Sequence, residues 1–412
     1  MSELKSKKVV GLYFGFQLFF ALLVWLPIFY EYQKHFGLSD SQIFSIQTFY
    51  YIAFCLLEIP TGLVADVWGY RRCMRVGAAV LALCQLGPIF WPTYLGFFLH
   101  FMGIALSRSL ISGASSAYLY EHLRLNNETE HFKVLEGRSR AYGLISKVIA
   151  WSAVGSLMAW HVTTPYWLTL VAALAALYFA LAMTEAPGQA AREVKNASAP
   201  PIRETAEKLL QSLAKALRAL STAPYLIFLI VQGIAIFVLG RIVQVNLFQP
   251  ILTEHGFELP VHGMIMALMT VFEAVGSGYP QVLRAWFNDR NAVFIVTLVL
   301  GLTMVLMPPA GGVGVVVLFC LFGLASGFAY PIQKQLFNDA IPDSTYRATL
   351  MSIESIVDRA VNAGLAMILG GVMSTPGGLG QFLLAAGGVT VFAVLLLYFG
   401  FQRFSLKDCQ SK

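Results

Sequence analysis

Of the 412 residues, 57% are hydrophobic and only 12% are charged, and the mean hydropathy is +0.68. These values exclude an ordinary soluble domain and place the chain in a bilayer. The net charge of +6 does not point to nucleic acid, because the basic residues lie between apolar stretches or at the chain ends, where they orient a membrane protein.

A helix crosses a hydrocarbon core of about 30 Å with roughly 20 residues, so the length accommodates about a dozen spans with short connections. Apolar segments run at 9–30, 43–65, 73–91, 95–118, 140–160 and 166–184, then at 224–248, 261–283, 292–308, 313–336, 347–373 and 380–402. Each ends at a charge cluster or a Gly/Pro break. Lys5, Lys7 and Lys8 precede the first run, which is too long for a signal peptide and lacks an A-x-A site, so it reads as a retained first helix.

Twelve spans put both termini on one side. The connections on that side carry nearly every basic residue, from Arg71, Arg72 and Arg75 to Arg284, Arg290 and Arg403, whereas the opposite loops carry Lys34 alone. The positive-inside rule therefore predicts a multi-pass inner-membrane protein with both termini cytoplasmic. Asn127-Glu128-Thr129 and Asn196-Ala197-Ser198 then fall on the cytoplasmic side and are chance matches to a glycosylation pattern.

Residues 185–222 form the one long polar stretch, with Leu209, Leu210, Leu213, Leu217 and Leu220 on one face of a helical pattern. It reads as a cytoplasmic linker ending in an interfacial amphipathic helix, or as a plain solvated tether. It divides the chain into a bundle at 1–184 and a bundle at 223–412, six spans each. Weak internal similarity supports the division: Leu57-Glu58-Ile59-Pro60-Thr61-Gly62 parallels Phe272-Glu273-Ala274-Val275-Gly276-Ser277, and Arg140-Ala141-Tyr142 parallels Arg347-Ala348-Thr349. The fold class is an all-α membrane protein of twelve transmembrane helices in two pseudo-symmetric six-helix bundles, an arrangement used for alternating access.

Between the second and third spans stands Gly62-Leu63-Val64-Ala65-Asp66-Val67-Trp68-Gly69-Tyr70-Arg71-Arg72. The glycines permit a tight turn and close helix approach, Asp66 can pair with a cation or a helix N-terminus, and Arg71 and Arg72 can anchor at anionic headgroups. This stretch resembles the G-x-L-x-D-R-x-G-R-R loop of the major facilitator superfamily, with Val67 and Tyr70 in place of basic residues. The resemblance implies gating by Gly62, Asp66, Gly69, Arg71 and Arg72. The Glu58-x-Pro60-Thr61-Gly62 form is similar to bacterial drug and metabolite:proton antiporters, which implies export, although the G-x-x-x-G-P-x-x-G-G element of antiporters is missing from the fifth span.

Ionisable residues inside the hydrocarbon usually face a cavity or a partner. Arg108, near the midplane of the fourth span, is a candidate for binding a substrate carboxylate or phosphate, or for an internal ion pair. Arg241, Gln244 and Tyr330 are further substrate candidates, and several aromatic residues (Tyr13, Phe16, Trp25, Tyr30, Tyr50, Tyr51) either line an amphiphilic cavity or simply pack. Glu354, Asp358 and Asn362 stack at i, i+4 and i+8 with Arg359 adjacent, either a proton-coupling site or a neutralised polar seam. Lys334 is near enough to the membrane surface to snorkel. In the resembled family the fifth and eighth spans meet, which implies a Lys147–Glu273 bridge that forms when the cytoplasmic side closes; Glu58 belongs either to that gating set or to the loop's support.

No ATP-binding motif, catalytic triad, metal-ligand spacing or cofactor motif appears, and the five cysteines show no paired spacing. The expectation is a non-enzymatic, monomeric secondary active transporter with no metal or cofactor. Its partners are a small organic, anionic solute, protons and membrane lipids. Proton-driven export is favoured, beside three alternatives: a lipid or lysolipid flippase, a proton-coupled uptake symporter, and a non-transporting sensor.

Overall fold

The computed structural model describes residues 6–184, 224–340 and 347–410. In the first segment, α1 (Lys7–Ala21) is followed by a break with a 3-10 turn at Leu26–Ile28 and by α2 (Phe29–His35); then come α3 (Asp40–Trp68), α4 (Tyr70–Cys84), α5 (Leu86–Phe90), α6 (Tyr94–Ser112), α7 (Ala114–Leu125), α8 (Phe132–Trp160) and α9 (Thr164–Ala182). In the second, α10 (Pro224–Arg241) runs through a π-helical turn at Ile242–Leu247 into α11 (Phe248–Glu254), followed by α12 (Leu259–Gly278), α13 (Pro280–Arg284), α14 (Asp289–Leu306), α15 (Gly312–Ala340), α16 (Arg347–Val372) and α17 (Gly378–Gln410).

Among the described residues, eleven helical stretches are long and apolar enough to cross a membrane. The sequence places one more span at 43–65; that stretch is folded as the middle of the 29-residue α3. The amphipathic helix expected within 185–222 lies outside the described residues.

Local chemistry sets the boundaries. Ser39 and Gln42 form a reciprocal capping box that starts α3, satisfying two orphan amides. Gly69, at φ 88°, ends α3 and begins α4, a conformation a side chain would strain. Pro27 sits in the break after α1, where its missing amide costs no helical hydrogen bond.

The same helix pairings recur in the two segments. α1 packs on α8 as α10 packs on α16; α3 on α6 as α12 on α15; and α4 on α6 and α9 as α14 on α15 and α17. The segments meet chiefly through α3 with α16 and α8 with α12.

The tightest contacts between segments gather at the end of the molecule away from the termini. There a Cβ on Gly155 would strike Leu259 and Pro260, and one on Gly263 would strike the Trp151 carbonyl, so the α8 and α12 backbones touch. Gly370 abuts Ser41 and Phe44, and Thr253 donates to Glu31 (2.5 Å). This end is closed.

Candidate functional site

Most of the charges that the sequence puts inside the membrane converge on two adjoining cavities, one between the segments and one within the second segment. One, of about 380 Å³, is lined by Gln17, Phe20, Tyr50, Tyr51, Phe54, Arg108, Ile111, Ser112, Ser115, Arg140, Arg241 and Arg359. The other, of about 390 Å³, includes Arg241, Gln244, Glu273, Tyr330, Lys334, Glu354, Asp358 and Arg359. Arg241 and Arg359 belong to both and form the wall between them.

The wall is a ladder of ion pairs. Arg241 donates to Asp358 at 3.0 Å. Arg359 lies 3.3 Å from Glu58 and 3.8 Å from Asp358, with its guanidinium 3.8 Å from the centre of the Phe54 ring. Ser355 adds a hydrogen bond to Glu58 at 3.0 Å, and Asn362 donates to Asp358 at 3.1 Å. Because Glu58 is on α3 and Arg359 on α16, this pair joins the two segments. Buried ions persist where partners and hydrogen bonds replace water.

Lys334 does not snorkel. Its ammonium bonds Glu354 at 2.7 Å and lies 5.2 Å from the centre of the Phe237 ring, because α16 presents a buried carboxylate to the inward face of α15. Glu354 and Asp358 are buried on one face of α16 together with Asn362, as their spacing predicts, but each carboxylate is held by a cation from another helix.

Glu273 accepts from Gln244 at 3.0 Å and, among the described residues, has no cation within ion-pair distance. Gln244 and Asn246 are set by the π-helical turn, an irregularity frequent at functional sites. Asn246 reaches across to the Tyr51 hydroxyl at 3.2 Å. Lys147 lies 5.7 Å from the centre of the Trp151 ring and within electrostatic reach of Arg108, Glu273 and Arg140. The Lys147–Glu273 bridge is not formed in this conformation.

Arg108 faces the first cavity with no hydrogen bond or ion pair among the described residues. Arg140 also lines that cavity and is engaged by Tyr330; its place at the edge of an apolar stretch suggests only a charge at the membrane surface. Of the aromatic candidates, Tyr50, Tyr51 and Tyr330 line the cavities, whereas Tyr13, Phe16 and Trp25 are fully buried in packing. Tyr30 sits at the closed end.

In the first turns of α4, Arg71 donates to the Met183 carbonyl at 3.3 Å, and Arg75 to the Ala180 and Leu181 carbonyls at 3.1 and 2.9 Å. These arginines cap the C-terminus of α9, where the dipole and free carbonyls favour cations. Gly62 has open space where a Cβ would stand, so it serves no close helix approach.

Several solved structures share this architecture. A point mutant of the nucleoside transporter NupG superposes with a TM-score of 0.77 at 15% identity, over 95% of this chain and 99% of that one. A D-xylose–proton symporter gives 0.70 at 13%, over 95% and 97%. A peptide transporter POT in complex with sulfate gives 0.72 at 13%, over 97% and 99%. No curated protein sequence matches significantly. The sequence model of the Major Facilitator Superfamily matches residues 9–357. The chain therefore belongs to the major facilitator superfamily, as a multi-pass membrane protein of a family of transporters rather than enzymes.

Proposed function

We propose that this chain is a secondary active transporter of a small organic anion, working by alternating access between two six-helix halves, 1–184 and 223–412, joined by the 185–222 linker. The observation that carries the reading is the guanidinium of Arg108, unpaired among the described residues in a cavity that also holds Arg140, Arg241 and Arg359. A cation kept from any internal partner in low dielectric is stabilised by an incoming anion. With both termini cytoplasmic in the inner membrane, the closed end faces outward and the conformation is inward-facing.

Coupling follows from the ladder. Protonating Asp358 would release Arg241 towards the cavity, and protonating Glu354 would release Lys334. The first step adds positive charge where the anion binds and the second adds it in the adjoining cavity, so proton and anion favour one another. Mutual stabilisation suits co-transport of the two, whereas antiport needs mutual exclusion. Export is supported only by the resemblance of the Glu58 to Gly62 stretch, so proton-coupled uptake is the reading the geometry favours. Lys147 and Glu273 would pair when the cytoplasmic end closes, with Gly62, Asp66, Gly69, Arg71, Arg72 and Glu58 positioning the helices that move.

Proteoliposomes supplied with labelled aromatic and aliphatic carboxylates test this. An inwardly directed proton gradient, acid outside, should drive accumulation in wild type and leave Asp358→Asn only able to equilibrate the solute. Accumulation driven by acid inside would reverse the coupling, and transport of neutral solutes alone would remove the anion.

A further inference from the structure

Resting on the reading of an organic-anion transporter, we infer that the solute carries a doubly charged head group of the phosphate-monoester type on an aromatic body. The head group is set by two guanidiniums from the first segment, Arg108 and Arg140, which both line the first cavity, while Lys147 adds its charge nearby without lining it. Arg140 and Lys147 are seven residues apart on α8, hence on one face and roughly 10 Å apart. Arg108 comes from α6, and Lys147 is within electrostatic reach of both arginines. Among the described residues, no carboxylate stands within ion-pair distance of Arg108, Arg140 or Lys147. The nearest acids act only at longer range, Glu136 on Arg140 and Glu273 on Lys147, and their oxygens are occupied by other donors: Glu136 accepts from Tyr13 and Ser116, each at 2.7 Å, and Glu273 accepts from Gln244.

The ion-pair ladder makes a control within the same protein. Arg241, Arg359 and Lys334 each have a carboxylate within 4.0 Å. The fold therefore pairs its other cavity cations internally and leaves Arg108 and Arg140 without a carboxylate at ion-pair distance among the described residues. A single carboxylate would match only one of these two guanidiniums. A compact dianion with three terminal oxygens matches both guanidinium forks, and the Lys147 ammonium adds attraction at longer range. The Ser115 hydroxyl accepts from Gln17 at 3.4 Å and keeps its own hydrogen for a further oxygen.

The body of the solute is set by the opposite wall. Phe20, Tyr50, Tyr51 and Phe54 face the same cavity, and Tyr50 meets Tyr51 and Phe54 edge-on at 5.2 and 6.1 Å between ring centres. Such a wall receives a flat ring by stacking or edge contact. The volume of about 380 Å³ holds one ring and its head group, in the range of small-molecule sites.

The purified full-length protein, titrated calorimetrically with phenyl phosphate, benzoate, benzyl alcohol and inorganic phosphate, tests this. Phenyl phosphate should bind at least about tenfold more tightly than benzoate and than inorganic phosphate, and benzyl alcohol should not bind. Arg108→Gln should bring the phenyl phosphate to benzoate ratio to within about threefold of one, and Arg108→Lys, which keeps the charge without the fork, should give an intermediate ratio. Benzoate binding as tightly as phenyl phosphate, or a ratio unchanged in both variants, overturns the dianion and leaves the organic-anion reading standing. Inorganic phosphate matching phenyl phosphate overturns the aromatic body. Binding of none of the three anions overturns both readings.

Discussion

Gln249 caps a helix that belongs to the other segment. Its side-chain oxygen accepts from the backbone amides of Tyr30 at 2.8 Å and Glu31 at 3.2 Å, and its amide donates to the Leu26 carbonyl at 3.2 Å. The break between α1 and α2 frees these groups, and Gln249, fully buried, satisfies them only while this end is closed. Three hydrogen bonds of about 0.5–1.5 kcal/mol each set the scale. Gln249→Leu should shift the conformational equilibrium about tenfold or more towards the state open at this end. Spin-label distances across that end should show the longer population growing, and an unchanged distribution would count against the cap as a latch.

The ladder between the cavities predicts strong coupling between Arg241 and Asp358. Among the described residues, Asp358→Asn leaves Arg241 with no direct carboxylate partner, and Arg241→Gln leaves Asp358 with the Asn362 hydrogen bond and, as its cation, only Arg359 at 3.8 Å. Each single change should lower thermal stability, by about 1–3 kcal/mol given that Arg241 keeps partial access to solvent. The double variant should recover part of the loss, because both charges are then gone. Additive losses in a double-mutant cycle would mean that the two side chains do not stabilise each other.

How much of this is legible in the sequence depends on where each residue stands in its helix. The parallel between Glu58 and Glu273 puts both acids in packing-equivalent helices, and both reach the cavity walls. The pairings Arg241–Asp358 and Lys334–Glu354 are not legible, because partners in different helices carry no local spacing signal. Arg140 and Gln249 escape sequence reasoning for a common physical reason. Hydropathy marks the hydrocarbon-length core of a span, starting the fifth at 140 and ending the seventh at 248, whereas the helices run from Phe132 and to Glu254. Arg140, at the first residue of the fifth span, and Gln249, one residue past the end of the seventh, therefore read as membrane-surface groups although one lines a cavity and the other closes a gate.

Lys147 and Glu273 predict a contact that this conformation lacks. In the state closed at the end bearing the termini, their charges should meet across α8 and α12. Lys147→Glu and Glu273→Lys should each slow transport about tenfold or more, since a like-charge pair opposes closure. The double swap should restore a measurable part of the rate. Recovery of nothing would leave Lys147 serving only the cavity, and Glu273 only Gln244.

The closed end itself depends on the absence of two side chains. A Cβ on Gly263 would meet the Trp151 carbonyl, and one on Gly155 the backbone of Leu259 and Pro260; neither backbone can yield without moving a whole helix. Gly263→Ala should therefore cost the present conformation about 1–3 kcal/mol, the usual penalty for overpacking. The same change should cost little in a state where α8 and α12 part at this end. Thermal stability alone would not separate those effects, but accessibility would. A cysteine replacing Val154, fully buried where α8 meets Gly263 of α12, should react with a membrane-impermeant maleimide faster in the Gly263→Ala background than in the parent, because that position is covered only when this end is shut. Equal labelling rates would show that α8 and α12 accommodate the methyl group without opening, and that the backbone contact is not what limits closure.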